Sequence, residues 1–357
     1  MQTNSIECFS GTYAIARSRF LETAVNLGAR IASFPVDNSE ALFVDFALIG
    51  PSNPEKLVII SSGLHGVEGF FGSAVQLAFL QQLLNNGSSD INAGVGVLLI
   101  HAINPYGFAM LRRTNEDNID LNRNFLQPNE EYRGAPGGYS LINDFLNPKS
   151  PPPFFDLFLP QALWKIVRYG FASLRQAIAE GQYEYPKGLF FGGKSPAKST
   201  EIIQTHLPQW VDSANQIIHL DFHTGLGKRA TYKLFPSVWN DLEAYAPLLQ
   251  QLGASNVVTS APYQPQGLME TWLSWKLAEK NYICLTAEFG TYPQLKVLAS
   301  LRAENRASFY GNLDSGAYKK AKAQLLEVFC PQADQWRQTV LKDGLNLITK
   351  SLTSINN

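Results

Sequence analysis

Apolar runs alternate with amphipathic stretches over most of the chain, which is the patterning of an α/β fold. The spacing predicts a first helix from a Ser10 cap to about Leu27, closed by Gly28. Strands are expected at Ala41–Ile49, Lys56–Ser61 and Val95–Ala102, with a helix from Val67 to about Leu84 between the last two. Strand, helix and strand in that order suggest a parallel crossover. Between Gln127 and Gly193 the texture changes to prolines, including Pro151-Pro152-Pro153, many aromatics and one amphipathic run at Gln161–Ala179. Lys165, Arg168 and Arg175 interrupt that run, so it reads as a surface helix rather than a membrane anchor. Nothing at the edges resembles a linker between cores, so about 127–215 is expected to be an insertion within a single domain, 1–357. Alternation resumes at Ile217–Phe222 and Tyr282–Ala287, and beyond Gly316 the pattern is largely helical.

With 357 residues, 45% of them apolar and 17% charged, the chain has the makeup of a globular protein. Twenty-nine basic against thirty acidic residues give a net charge of -1, which argues against a nucleic acid or an anionic membrane as partner. Cys8, Cys284 and Cys330 are too few and too scattered for a disulfide framework or a thiolate metal cluster. The first residues show neither a basic region nor an apolar run, and no stretch reaches the roughly 18 apolar residues of a membrane span. A cytoplasmic location is therefore expected.

Four constellations could carry chemistry. Gly63-Leu64-His65-Gly66-Val67-Glu68-Gly69 follows a strand, where ligand sites of open α/β sheets lie. One turn brings His65 and Glu68 to the same side, and an imidazole with a carboxylate are two ligands of a catalytic zinc. The same segment is equally readable as a helix-capping turn with an incidental histidine. Asn104-Pro105-Tyr106-Gly107 ends the next strand and leads into Arg113–Phe125, where arginines are set among asparagines. A guanidinium there could hold a carboxylate or stabilise an oxyanion. In Ile217–Gly225, strand alternation puts His219, Asp221 and His223 on one face. His223, nearest the carboxyl end, is the natural third ligand, whereas His219 reads as a satisfied core histidine. Tyr282–Gly290 carries an apolar strand into Glu288; a carboxylate there could take the proton of a metal-bound water, but by itself it reads as no more than a glutamate at a strand end.

Taken in order, His65-x-x-Glu68, Asn104-Pro-x-Gly107, Asp120-Leu-Asn-Arg-Asn-Phe125, the strand-end His223 and the strand-end Glu288 resemble the zinc carboxypeptidase family. The resemblance covers about 56–125 and 216–292. It implies an α/β fold with a mixed twisted sheet and helices on both faces, and one Zn²⁺ per chain held by His65, Glu68 and His223. Glu288 would be general base and acid, and Arg113 would polarise the scissile carbonyl. Asn122 and Arg123 would hold the substrate's terminal carboxylate. Asp120, and with it Asp221, would stand behind the metal ligands, and Tyr263 matches the family's mobile tyrosine. The implied activity is hydrolysis of an amide next to a free carboxylate, on a peptide or, as in the related aspartoacylase-like enzymes, an N-acyl amino acid. The gap between Arg123 and His223 is longer than the family's, which places the insertion near the site.

A rival reading comes from Gly188-Leu-Phe-Phe-Gly-Gly-Lys194-Ser195, which matches a phosphate-binding loop letter for letter. Its context is wrong for an ATPase. No strand-like run precedes it, bulky residues fill the loop, and Pro196 removes an amide. A metal-binding protein of the same fold without catalysis is disfavoured by Glu288 and Arg113.

Overall fold

The computed structural model describes residues 5–36, 41–87, 91, 94–237, 242–260 and 265–356. Helix α1 (Tyr13–Asn26) precedes β1 (Arg30–Pro35), β2 (Phe43–Ile49) and β3 (Lys56–Ser62). Next come α2 (Gly69–Asn86), β4 (Val95–His101) and α3 (Pro105–Ala109). Helices α4 (Gly137–Leu146), α5 (Phe158–Tyr169), α6 (Phe171–Ala179) and α7 (Lys198–Trp210) lead to β5 (Gln216–Thr224) and β6 (Tyr232–Pro236). The chain ends with α8 (Ala246–Gly253), α9 (Met269–Lys276), β7 (Asn281–Phe289), α10 (Gln294–Tyr310), α11 (Gly316–Phe329) and α12 (Asp334–Asn356).

The strands form a seven-stranded sheet in the order β1-β2-β4-β3-β5-β7-β6. Its centre, β4-β3-β5-β7, is parallel, and the pairs at both edges are antiparallel. Side chains alternate across this sheet and build two cores. Val58, Ile60, Leu220 and Phe222 face the helices bearing Phe20, Phe71 and Trp336. Leu57, Ile59 and Ile217 face those bearing Ile203, Leu207 and Leu273. The expected mixed sheet with helices on both faces is what the chain adopts. No helix among the described residues is long and apolar enough to cross a membrane.

Three local expectations are corrected. The first helix is capped by Thr12, whose extended backbone lets its Oγ1 accept from the Ile15 N–H; Ser10 accepts from Arg19 instead. The run 161–179 is split into α5 and α6 at Gly170, whose φ of 81° breaks the helix. Strands β1 and β6 carried too little alternation to be predicted, since each is a short edge strand ending in proline.

One buried group makes stability pH-dependent. His101 stacks on Phe20 at 4.7 Å, meets Ser73 Oγ at 2.9 Å, and has no partner for Nδ1. Burial, opposed by the Asp45 carboxylate, lowers its pKa from 6.5 to about 4. The unfolded chain therefore takes up a proton below 6.5 that the folded chain refuses until about 4. Stability rises with pH across that window and is lost as pH falls, by about 3 kcal/mol in total for this residue. Urea midpoints of wild type and His101→Gln between pH 7 and 4.5 should show a shallower acid loss in the variant. Parallel curves would exclude a neutral buried imidazole.

Candidate metal centre

The site is assembled where β3, β5 and β7 end. After β3 the chain turns through His65 and a short 3₁₀ turn, Gly66–Glu68, into α2. A Cβ on Gly66 would lie 2.1 Å from the backbone carbonyl carbon of Gly107, so only glycine lets the two loops touch. The amides of Gly66 and Val67 donate to the carbonyls of Arg113 and Arg112 at 3.1 and 2.8 Å. Asn104 caps α3 by accepting from the Gly107 N–H, and its Nδ2 donates to the Arg113 carbonyl at 3.2 Å. The Asn-Pro-Tyr-Gly motif thus clamps the loop bearing His65 to the one bearing Arg113.

His65, Glu68 and His223 are buried and each offers a ligand atom, all within 4.8 Å of one another. His65 Nδ1 lies 3.0 Å from Glu68 Oε1, His223 Nδ1 lies 3.1 Å from Glu68 Oε2, and the two Nδ1 atoms are 3.2 Å apart. Each imidazole turns its other nitrogen to a carboxylate. His65 Nε2 is 3.2 Å from Asp120 Oδ1, and His223 Nε2 is 2.6 Å from Asp221 Oδ2. At His223 the carboxylate behind Nε2 favours the tautomer with its proton there and a lone pair on Nδ1, whereas at His65 Nε2 also faces Arg113 Nη2 at 2.6 Å, a donor that asks for a lone pair there. The two Nδ1 atoms and the Glu68 carboxylate facing inward are a donor set for a divalent cation with an open position. The residues fit the metal.

Without a cation the same atoms share protons and guanidinium charge. Burial alone would raise the pKa of Glu68, but the two imidazoles hold it well below the carboxylate range. Burial would lower that of His223, yet Asp221 and Glu68 push it well above 6.5. Arg113 Nη1 reaches Glu68 Oε1 at 3.2 Å, its Nε donates to Asp120 Oδ2 at 3.0 Å, and its Nη2 lies 2.6 Å from His65 Nε2. Glu288 sits opposite His223 in the β5–β7 register, partly exposed, and its Oε1 accepts from the Leu226 N–H at 2.8 Å. Burial, with the Glu68 charge adding, raises its pKa to about 7. A carboxylate poised there can both take and return a proton near neutral pH.

Asn122 and Arg123 line the same cavity, of about 510 Å³. Asn122 Oδ1 accepts from the Met269 N–H at 3.1 Å, which leaves its Nδ2 as the remaining donor. The Nη atoms of Arg123 donate to the carbonyls of Asn122 and Ala179, while its buried Nε has no partner. Tyr263 lies outside the described residues. His219 is fully buried, 2.7 Å from Ser61 Oγ and 2.9 Å from the Tyr282 hydroxyl, apart from the ligand cluster. The Gly188–Ser195 segment follows no strand. It is a loop whose Gly192 and Ser195 carbonyls accept from Asn124 Nδ2, with Lys194 exposed.

Two side chains escaped sequence reasoning. Ser61 donates to Asp221 Oδ1 at 2.6 Å, and only the β3–β5 register makes them neighbours. Glu270, in the first turn of α9, looks in the sequence like an ordinary helix-start acid. It lines the cavity nearly buried, its Oε2 has no partner, and burial, with Asp221 adding, raises its pKa.

Solved structures place this architecture among the carboxypeptidase-like α/β folds. Bovine thrombin-activatable fibrinolysis inhibitor, solved with tick carboxypeptidase inhibitor, is 10% identical with a TM-score of 0.51, and 97% of each chain is covered. Carboxypeptidase A from Helicoverpa armigera is 13% identical at a TM-score of 0.49, covering 88% of this chain and 73% of that one. At such identities the likeness is one of fold. The chain belongs to the family described as protein of unknown function (DUF2817), whose model matches residues 9–343. No curated protein matches the sequence significantly.

The close approach at Gly66 yields a measurable cost. Gly66→Ala should destabilise the fold by about 1–3 kcal/mol or more, because backbone rather than a flexible side chain must yield. Gly11→Ala, with nothing within 4 Å of the added carbon, should be near neutral. Equal denaturation midpoints for the two variants would contradict the contact.

Proposed function

We propose that this protein is a zinc-dependent hydrolase that cleaves an amide bond adjacent to a free carboxylate. One observation carries the reading. Two histidines and a glutamate converge, each imidazole backed by a carboxylate, in a cavity that Glu288 and the Asn122–Arg123 pair also line. We read 127–215 as an insertion into a single catalytic domain, since α4, α5 and α6 contribute to the same cavity.

Bound by His65, Glu68 and His223, zinc would supply Lewis acidity and lower the pKa of a water towards about 7. Asp120 and Asp221, each against Nε2 of one imidazole, orient the two rings so that Nδ1 faces inward. Glu288 takes the proton of the attacking water and returns it to the leaving amine. Arg113 is the cationic group beside the reacting carbonyl. Its Nη1, which faces Glu68 at 3.2 Å, is the donor that would stabilise the developing oxyanion. Asn122 Nδ2 and the Nη N–H groups of Arg123 not used on the Asn122 and Ala179 carbonyls are the donors left for the substrate carboxylate. A second reading, an N-acyl amino acid in place of a peptide, is favoured by the apolar part of the cavity wall.

Purified protein should carry about one zinc per chain. His65→Ala and His223→Ala should each lose it, while His219→Ala largely keeps it. Glu288→Gln should retain the metal and lose turnover by at least about 10²–10⁴-fold. Full occupancy in the two ligand variants, or wild-type turnover in Glu288→Gln, would refute the assignment.

The carboxylate contact has its own test. Arg123→Ala should lower kcat/KM for a free-acid substrate by about 1.5–3 kcal/mol, the worth of a charge-assisted hydrogen bond. It should hardly affect the amidated substrate. Equal losses on both would mean that Arg123 supports the fold and does not read the carboxylate.

A further inference from the structure

The cavity at the metal centre has walls of two kinds. The ligand cluster, Arg113, Glu288 and the Asn122–Arg123 pair supply polar groups, and the helices of 127–215 supply mainly hydrocarbon. Ile142 and Phe145 of α4, Ile166 of α5, Leu174 of α6 and Leu298 and Leu301 of α10 all line it. The α4–α6 pair forms an apolar cluster of its own, with Leu298 packed against it, so these walls are held by packing and not by the ligand residues. The apolar character continues outside. Leu159, Leu163 and Val167 lie four apart on the outer face of α5 at 55%, 56% and 87% exposure. Helix α5 thus exposes an apolar stripe outside, while towards the cavity it presents Ala162 and Ile166 with Lys165 beside them.

A peptide backbone laid along such walls would leave amides and carbonyls unpaired, each at a cost of about 1–3 kcal/mol. A hydrocarbon chain carries no such cost and gains from every methylene removed from water. The volume, about 510 Å³, falls within the range of sites that enclose a small amphiphile. On the reading that the Asn122–Arg123 pair holds the carboxylate of the leaving amino acid, the pair occupies only one part of the cavity, which leaves the apolar remainder to the rest of the substrate. Resting on that reading, we infer that the substrate is an amino acid acylated by a long apolar chain, which the insertion helices and α10 enclose.

The test is a chain-length series. N-acyl alanines with acyl groups of two, six, ten and fourteen carbons are assayed with the zinc-loaded full chain. Their binding to the Glu288→Gln protein is measured by calorimetry. At full burial each methylene is worth about fourfold in kcat/KM, so decanoyl should exceed acetyl by at least a hundredfold before the series levels off. Leu174→Trp, which narrows the apolar part, should remove most of that gain, so that the decanoyl-to-acetyl ratio falls at least tenfold; an unchanged ratio would count against the inference. Hydrolysis with acetyl equal to or better than decanoyl would overturn the inference and leave the amidohydrolase reading standing. Hydrolysis of none of the series, nor of peptides, would sink that reading. The cavity assignment would then stand or fall on calorimetry: decanoyl binding at least tenfold tighter than acetyl supports it, and equal binding overturns it.

Discussion

The constraint on which this site depends is the burial of Glu68. A carboxylate removed from water must be compensated, or it takes a proton and ceases to be a ligand. Here compensation comes from three directions: two imidazoles at 3.0 and 3.1 Å, the Arg113 guanidinium at 3.2 Å and the Thr224 amide at 3.0 Å. The two imidazoles and the guanidinium are each in turn held by a further carboxylate, Asp120 or Asp221. The network runs outward from Glu68 to Asp120 and Asp221, and removing a member takes a partner from each buried group it touches. This is also why a divalent cation suits the centre, since it replaces shared protons with one charge that all three inward atoms can face.

The sheet supplies the positions that this network needs. In β5 the alternation of side chains puts His219, Asp221 and His223 on one face, and the parallel register sets Ser61 beside Asp221 and Glu288 beside His223. Tyr282, Ser61 and His219 then continue the hydrogen-bonded chain behind Asp221 into the core. Burial lowers the pKa of His219 to about 4, so it stays neutral and serves as a fixed link rather than a titrating one. Orientation of the ligands is thus tied to strand pairing, the part of the fold least able to shift.

The segment 127–215 plays a different part. Its end grips the site through backbone groups: Ala179 accepts from Arg123, and the Tyr183 hydroxyl donates to the Arg123 carbonyl at 2.9 Å. Further out, Asp156 bridges Arg302 and Arg306 of α10. The segment is therefore anchored at both the polar and the apolar parts of the cavity, and the chemistry of what enters is set largely by residues outside the strands.

The residues of the candidate metal cluster, the strand-end place of Glu288 and the central strands were legible in the sequence because they follow local rules. A three-residue spacing, a period of two and a polar residue at a strand end need no knowledge of distant partners. Edge strands β1 and β6 obeyed those rules too weakly to be seen, and Gly170 divided a helix that periodicity alone made continuous. The roles of Ser61 and Glu270, the bonding of Arg123 to Ala179, and the apolar wall built by α4, α5 and α6 were decided by tertiary structure. Each is a contact between residues far apart in the chain, and their separation in space is fixed by sheet register and helix packing. Sequence could thus state which groups the site contains. Only the folded chain could decide which of them are compensated and what kind of molecule the remaining space admits.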